Sequence, residues 1–119
     1  MTSAGGRIVL AHGVWDVLHP GHLRLLETAK SLGDQLIVSV TSDRFVGKGP
    51  GRPVLCEQER MSQLSALRFV DKVVLSDEPT GAGALREWQP AYFVKGGEYT
   101  LETLATEERE AIAEVGAAF

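Results

Sequence analysis

The chain has 119 residues and a hydrophobic fraction of 44%, which fits one globular domain with a buried core. Its net charge of −4 argues against a nucleic-acid-binding surface, although a small phosphate site needs only local positive charge. The single cysteine excludes an intrachain disulfide, and no apolar run reaches the roughly 18 residues that span a membrane. We therefore expect a cytoplasmic protein that binds neither nucleic acid nor membranes.

Taken in chain order, short apolar runs alternate with amphipathic segments. The predicted strands are Arg7–His12, Gln35–Thr41, Lys72–Leu75 and Tyr92–Lys95, and the predicted helices are Pro20–Leu32, Glu57–Phe69, Ala84–Trp88 and Glu107–Val115. Ala117–Phe119 has the pattern of the start of a fifth strand. Strands of this buried type, joined by helical crossovers, predict an α/β fold: a Rossmann-like, doubly wound and mostly parallel sheet of about four to five strands.

The last helix carries local predictions of its own. Thr106 is expected to cap its N-terminus, and Gly116 is expected to end it. The acidic residues between Glu107 and Glu114 indicate a solvated helix face.

Gly13–His22, between the first strand and the first helix, has the strongest functional pattern in the chain. Pro20 fits the first helical position, where its missing N–H is not needed, so that His19 lies near the N-cap and His22 one turn further. Both imidazoles can then point to one spot at the positive end of the helix, which favours phosphate. Two ring N–H groups at that spot could donate hydrogen bonds to phosphoryl oxygens and stabilise developing charge.

Three segments follow the carboxyl ends of predicted strands: His12–His22, Ser42–Arg52 and Lys95–Gly97. Ligands of doubly wound sheets bind outside these strand ends, so we expect the three segments to border one crevice. Lys48 and Arg52 bring positive charge there, and the glycines that follow Lys95 would let the backbone approach a ligand closely.

A His-x-Gly-His sequence after a first strand, with Gly-x-x-Asp a few residues before it, resembles the cytidylyltransferase-like nucleotidyltransferase superfamily. Further segments resemble its sugar-phosphate branch: Leu32–Val38, Ser42–Asp43, Arg52–Val54, Glu59–Met61, Val70–Asp71 and Val94–Tyr99. Within that branch the chain is most similar to D-glycero-β-D-manno-heptose 1-phosphate adenylyltransferases, and more distantly to glycerol-3-phosphate cytidylyltransferases. The resemblance covers about residues 7–119 and implies the HxGH nucleotidyltransferase fold.

The resemblance implies a nucleotidyltransferase that transfers a nucleoside monophosphate from a nucleoside triphosphate to a sugar phosphate and releases pyrophosphate. ATP or CTP would be the nucleotide, and transfer of AMP to a heptose 1-phosphate follows from the most similar branch. Mg²⁺ would be held largely by the triphosphate, and a homodimer is common in the family. Two alternatives stay open: a cytidylyltransferase that uses glycerol 3-phosphate or another polyol phosphate, and a nucleotide-binding or assembly module without catalysis.

The resemblance also assigns roles to residues. The catalytic group is His19, His22 and Lys48; the nucleotide-binding group is Gly13, Val14, Trp15, Gly21, Lys95, Gly96 and Gly97; the phosphate- or substrate-binding group is Asp16, Arg52 and Arg60. For Asp16 the alternatives are binding Mg²⁺, orienting a histidine and fixing the loop. Arg60 could contact a ligand or pair with Asp43 or Glu57. His12, at the end of the first strand, could be a further site residue or a packed histidine.

Two features depart from the family pattern. Val14–Trp15 stands where the family often has a small or hydroxyl residue followed by phenylalanine, so the backbone donors there could differ. Residues 1–119 read as a single nucleotidyltransferase domain that stops before the Ser/Thr-rich segment with which the family helps to hold the nucleotide phosphates. The chain could therefore be a fragment, have its site completed by a partner, or be impaired in activity.

Overall fold

The computed structural model describes residues 7–47, 53–95 and 102–119. The strands are β1 (Ile8–Gly13), β2 (Gln35–Thr41), β3 (Lys72–Ser76) and β4 (Tyr92–Lys95), and the helices are α1 (Pro20–Ser31), α2 (Glu57–Ser65), α3 (Ala82–Trp88) and α4 (Thr106–Val115). A single 3₁₀ turn, Asp43–Phe45, follows β2. The predicted alternation of strand and helix is confirmed, and β2 and β4 have the predicted bounds.

The described strands form one parallel sheet in the order β3-β2-β1-β4. The chain lays down β1, β2 and β3 in one direction and then returns to the other side of β1 to add β4. The strand order therefore reverses between β1 and β4, where His12 and Lys95 are register partners near the carboxyl ends. Doubly wound sheets bind their ligands at such a reversal, outside the carboxyl ends of the strands.

Helices cover both faces of the sheet, which is why its strands are nearly continuous apolar runs. On one face, Val9 and Ala11 of β1 pack with residues of α1 and α2. On the other face, Leu10 packs with residues of α3 and α4. All three side chains are fully buried, so β1 is fixed on both faces. The loop that follows β1 therefore starts from a fixed position. Among the described helices, none is long and apolar enough to cross a membrane.

Helix α2 is shorter than predicted and ends at Ser65 instead of Phe69. Residues 66–69 continue as turns, and the N–H of Val70, which follows them, donates to the Leu67 carbonyl. Leu67 and Phe69 still pack against the core formed with α1 and α2. Leu67 and Phe69 are therefore core residues, as their spacing indicates. The spacing does not fix the end of the helix, because tight turns can also bring side chains to the same core.

Helix α4 begins and ends close to the predicted residues. The prediction that Thr106 caps it is wrong: Thr106 is the first helical residue, and the N-cap is Ala105, which makes no side-chain cap bond. Gly116 ends the helix as predicted, with a left-handed φ of 76° that glycine adopts without strain. Ala118 then forms a parallel bridge with Tyr92, which supports the prediction that a further strand begins here, beside β4.

Candidate active site

Helix α1 begins at a pair of histidines that cap it. His19 is the N-cap, with extended backbone at φ −140° and ψ 172°, and Pro20 is the first helical residue, as predicted. The Gly21 N–H donates to His19 Nδ1 at 3.0 Å, and the His19 N–H donates to His22 Nδ1 at 3.3 Å. The two imidazoles therefore act as a serine and a glutamate do in the usual capping box, and satisfy N–H groups that a first helical turn leaves without partners.

This capping arrangement fixes the hydrogen-bonding chemistry of both rings. Because Nδ1 of each ring accepts a backbone N–H, the proton of the neutral imidazole lies on Nε2. The rings stack with their centroids 3.9 Å apart and an angle of 28° between their planes. His19 is exposed and His22 is half-buried, and the stacked pair lies at the positive end of α1, where anions are favoured.

Gly21 makes room for the stacked rings. A β-carbon at this position would lie 2.7 Å from His19 Cε1, so the ring would have to move. If His19 is catalytic, as the resemblance implies, we expect Gly21→Ala to lower turnover by about tenfold to a hundredfold, because the added methyl group displaces its imidazole. The unfolding temperature should stay level, since the gain of roughly 1 kcal/mol from alanine in a helix offsets the weakened cap. Steady-state kinetics and thermal unfolding measure the two effects, and unchanged turnover would contradict a role for the position of His19.

Trp15 packs between the sheet and His22. Its backbone is left-handed, with φ 56°, a conformation that costs a non-glycine residue about 1–2 kcal/mol. The side chain is buried, its indole N–H donates to the Ser39 carbonyl at 3.1 Å, and its ring meets the His22 ring edge-on with centroids 5.7 Å apart. A β-carbon on Gly13 would lie 3.1 Å from the indole, so this glycine accommodates the ring. Trp15 therefore orients His22 by packing against it.

The carboxylate of Asp16 fixes the segment that leads into α2. It is buried, and its two oxygens accept the N–H groups of Val54 and Leu55 at 2.8 and 2.9 Å. Among the three alternatives for Asp16, this geometry favours fixing the loop. Within the described ranges, no three His, Cys, Asp or Glu side chains are grouped to hold a metal ion. Mg²⁺ held by the triphosphate stays a prediction.

Arg60 is the bulkiest of the fully buried side chains in the described part of the chain. Its guanidinium donates to the carbonyls of Val14, Thr41 and Leu55 at 2.7, 2.7 and 3.1 Å. It also pairs with Asp43 Oδ1 at 2.6 Å. These contacts favour the ion-pair alternative for Arg60, because a side chain that is 0% exposed meets a ligand only after the loops rearrange. Arg60 ties the loop after β1 to the end of β2 and the start of α2, and so positions the histidine loop.

A buried ionic cluster lies at the carboxyl ends of β1 and β4, on the face covered by α3 and α4. Lys95 Nζ donates to Glu108 Oε1 at 2.8 Å. The Gly81 N–H, just before α3, donates to Glu108 Oε2 at 2.8 Å. One carboxylate on α4 thus joins the end of β4 to the start of α3.

Glu108 is a residue that the sequence analysis missed. It is fully buried, so the prediction of a solvated face from Glu107 to Glu114 is wrong at this position. A signal for its burial was available, because Glu108 falls at helical spacing with Ala111 and Ile112, which are buried apolar residues. A buried acid on the apolar face of a helix needs a cation or N–H donors. Lys95, at the end of a predicted strand, was a candidate for that cation.

His12 lies beside this cluster as a packed imidazole. It is buried, its Nδ1 lies 2.8 Å from Ser39 Oγ, and its ring stacks on that of Phe93. Burial lowers the pKa of His12 from 6.5 to about 4, while the charge of Glu108 opposes this shift and that of Lys95 adds to it. The ring is therefore uncharged at neutral pH, which favours the packed-histidine alternative for His12.

The low pKa of His12 predicts that the fold loses stability in mild acid. The unfolded chain takes up this proton near pH 6.5 and the folded protein only near pH 4, so the free energy of unfolding is highest above pH 6.5 and falls between these values. The loss approaches about 3 kcal/mol, at roughly 1.4 kcal/mol per pKa unit. Urea unfolding across this range measures it. His12→Phe cannot titrate and should flatten the slope, and equal slopes in the two proteins would contradict the assignment.

Four predicted site residues lie outside the described residues: Lys48, Arg52, Gly96 and Gly97. Of the predicted nucleotide-binding residues that are described, Gly13 and Val14 are half-buried at the end of β1 and just after it. Lys95 ends β4, the strand next to β1. The described part of the site therefore consists of the histidine pair, the residues that position it, and Lys95 on the neighbouring strand.

A doubly wound parallel sheet with a histidine-capped helix after its first strand is the architecture that the sequence resemblance implies. The family model described as cytidylyltransferase-like matches residues 10–118. The chain belongs to the cytidylyltransferase-like family, and the predicted fold class and family are both confirmed.

Curated relatives carry the name bifunctional protein HldE. The protein from Gluconobacter oxydans is 45% identical over 98 residues, which are 81% of this chain and 20% of that protein. The protein from Chromohalobacter salexigens is 46% identical over 103 residues, which are 85% of this chain and 22% of that protein. The chain thus spans about a fifth of the length of these relatives. A solved structure, the lipopolysaccharide core biosynthesis protein from Thermoplasma volcanium GSS1, is similar with a TM-score of 0.77 and 29% identity, over 96% of this chain and 92% of that one.

Proposed function

We propose that this domain transfers a nucleoside monophosphate from a nucleoside triphosphate to a sugar phosphate, with AMP and a heptose 1-phosphate as the preferred pair. The observation that carries the proposal is the reciprocal cap, which fixes Nε2–H donors of His19 and His22 at the positive end of α1. The similarity to HldE proteins and to a lipopolysaccharide core biosynthesis protein supports a carbohydrate acceptor.

The chemistry needs alignment and charge stabilisation more than proton transfer. A phosphate oxygen of the acceptor attacks the α-phosphorus of the triphosphate, a new P–O bond forms, and the bond from the α-phosphorus to the bridging oxygen breaks to release pyrophosphate. The attacking oxygen is already anionic, so no strong general base is required. The two histidines donate from Nε2 to phosphoryl oxygens, on which charge grows in the transition state. Mg²⁺ bound to the triphosphate would neutralise part of its charge.

Trp15, Asp16 and Arg60 contact other protein residues and would affect the reaction only by positioning the histidines. Trp15 packs against His22, while Asp16 and Arg60 hold the loop in place through backbone hydrogen bonds. Lys95 would contact the nucleotide from the neighbouring strand. In the same proposal, the glycines that follow Lys95 approach the base, and Lys48 and Arg52 add positive charge near the phosphates.

The test is formation of the nucleotide-activated product, identified by its base and its acceptor, when ATP and CTP compete in the presence of Mg²⁺ and either heptose 1-phosphate or glycerol 3-phosphate. The proposal expects turnover with ATP and the heptose phosphate. Turnover with CTP and glycerol 3-phosphate would support the cytidylyltransferase alternative. Nucleotide binding without turnover in any combination would support the non-catalytic module. The homodimer and the cytoplasmic location remain predictions.

A further inference from the structure

Glu108 on α4 is a buried acid with a defined set of partners. Its side chain is 0% exposed, and burying a carboxylate is costly unless its oxygens are paired. Oε1 accepts from Lys95 Nζ and Oε2 accepts from the Gly81 N–H, each at 2.8 Å. Both oxygens are therefore used, which fixes the orientation of the carboxylate and of the ammonium that it faces.

Lys95 occupies a position from which a cation can reach a ligand. It is the last residue of β4 and the register partner of His12 on β1, so it lies where the strand order reverses. Its side chain keeps 17% exposure, unlike that of Glu108. A lysine carries its charge on a flexible four-carbon stem, so a buried acid at hydrogen-bond distance decides where the ammonium points.

The surroundings leave Glu108 little freedom. A β-carbon on Gly81 would lie 3.0 Å from two ring atoms of His12 and 3.1 Å from Glu108 Oε2, so the backbone, the imidazole and the carboxylate are in close contact. The imidazole of His12 is uncharged at neutral pH. Within the described residues, the carboxylate of Glu108 therefore supplies a negative charge at hydrogen-bond distance from the Lys95 ammonium, and His12 adds no opposing charge.

We propose that Glu108 is a positioning residue for nucleotide binding, which holds the Lys95 ammonium toward the negatively charged nucleoside triphosphate at the β1–β4 reversal. This inference rests on the proposed function, because it assumes that a triphosphate binds there. Helix α4 lies on the opposite face of the sheet from α1. In this proposal it contributes to the affinity for the nucleotide and not to the transfer step.

The test is Glu108→Gln, which keeps the shape and an acceptor for Gly81 but removes the charge. Titration calorimetry with MgATP and MgCTP, together with steady-state kinetics, should show the Kd and the KM for the nucleotide rising about tenfold, and kcat changing less than about threefold. Glu110→Gln, an exposed change on the same helix, is the matched control and should leave all three constants unchanged. Should Glu108→Gln not fold, Glu108→Asp, which keeps the charge on a shorter stem, should raise the same two constants.

A purely structural role would give a different pattern. In that case Glu108→Gln would lower the unfolding temperature and leave the Kd of the folded protein unchanged, which would overturn the proposal. Positioning also requires that Lys95→Met alone weaken binding and that adding Glu108→Gln to it cause no further loss; additive losses would overturn it as well. If the wild-type protein bound neither nucleotide, the proposed function and this inference would both fall, whereas the structural pattern would remove the inference alone.

Discussion

His22→Ala should lower turnover by about a hundredfold to a thousandfold, and changes at His22 have the largest effects on activity that we predict. The substitution removes the His22 ring at the start of α1, and with it the proposed stabilisation of charge on the phosphoryl oxygens. It also removes the acceptor of the His19 N–H, which should cost about 1 kcal/mol of stability and let the neighbouring ring move. Steady-state kinetics with MgATP measures the first effect, and thermal unfolding measures the second.

A second substitution separates the helix cap from the chemistry. His22→Glu gives the capping box its common form, because a glutamate at the third helical position accepts the N–H of the N-cap residue. This variant should be as stable as the wild type and yet lose at least as much turnover as His22→Ala, since it brings a negative charge to the phosphates. Glu27→Gln, exposed on the same helix, is the control. Turnover of His22→Ala within about twofold of the control would remove His22 from the proposed chemistry.

Arg60→Met should reduce the free energy of unfolding by about 3–5 kcal/mol, the largest effect on stability that we predict. Methionine fills much of the volume, but three backbone carbonyls lose their donor and Asp43 loses its partner. Each acceptor left buried without a donor costs about 1–3 kcal/mol. Urea unfolding gives the difference, with the exposed Arg24→Met as a control that should change stability by less than about 0.5 kcal/mol. A loss as small as in the control would show that the loops do not depend on the guanidinium.

The parts of the fold that were predicted correctly are those with local signals. The apolar run Gln35–Thr41 and the run Tyr92–Lys95 are strands with the predicted bounds, since continuous β-type residues between turn residues leave few alternatives. Pro20 determined the first residue of α1, and that in turn put His19 at the N-cap and His22 one turn later. The juxtaposition of the two rings therefore follows from a spacing of three residues and the helical period.

The features that the sequence left open or did not show depend on contacts between segments that are distant in the sequence. Arg60 acquires its role from carbonyls at Val14 and Thr41, which approach it only after the sheet has formed. The left-handed backbone of Trp15 is likewise set by the Ser39 carbonyl and by the burial of the indole, and no local pattern encodes it. The charge of Glu108 does not indicate exposure, because the position lies on the apolar face of α4.

Ser39 of β2 contacts residues beside both parts of the candidate site, so the register of β2 affects both parts. Its carbonyl accepts a hydrogen bond from the indole of Trp15, which packs against the histidine pair. Its hydroxyl is hydrogen-bonded to His12, which lies beside the Lys95–Glu108 pair on the opposite face of the sheet. A slip of β2 by one residue would exchange the faces of all its side chains and separate both contacts at once. A misregistered sheet would thus be inert as well as unstable, so recovery of activity during refolding should report on correct strand alignment and not merely on collapse.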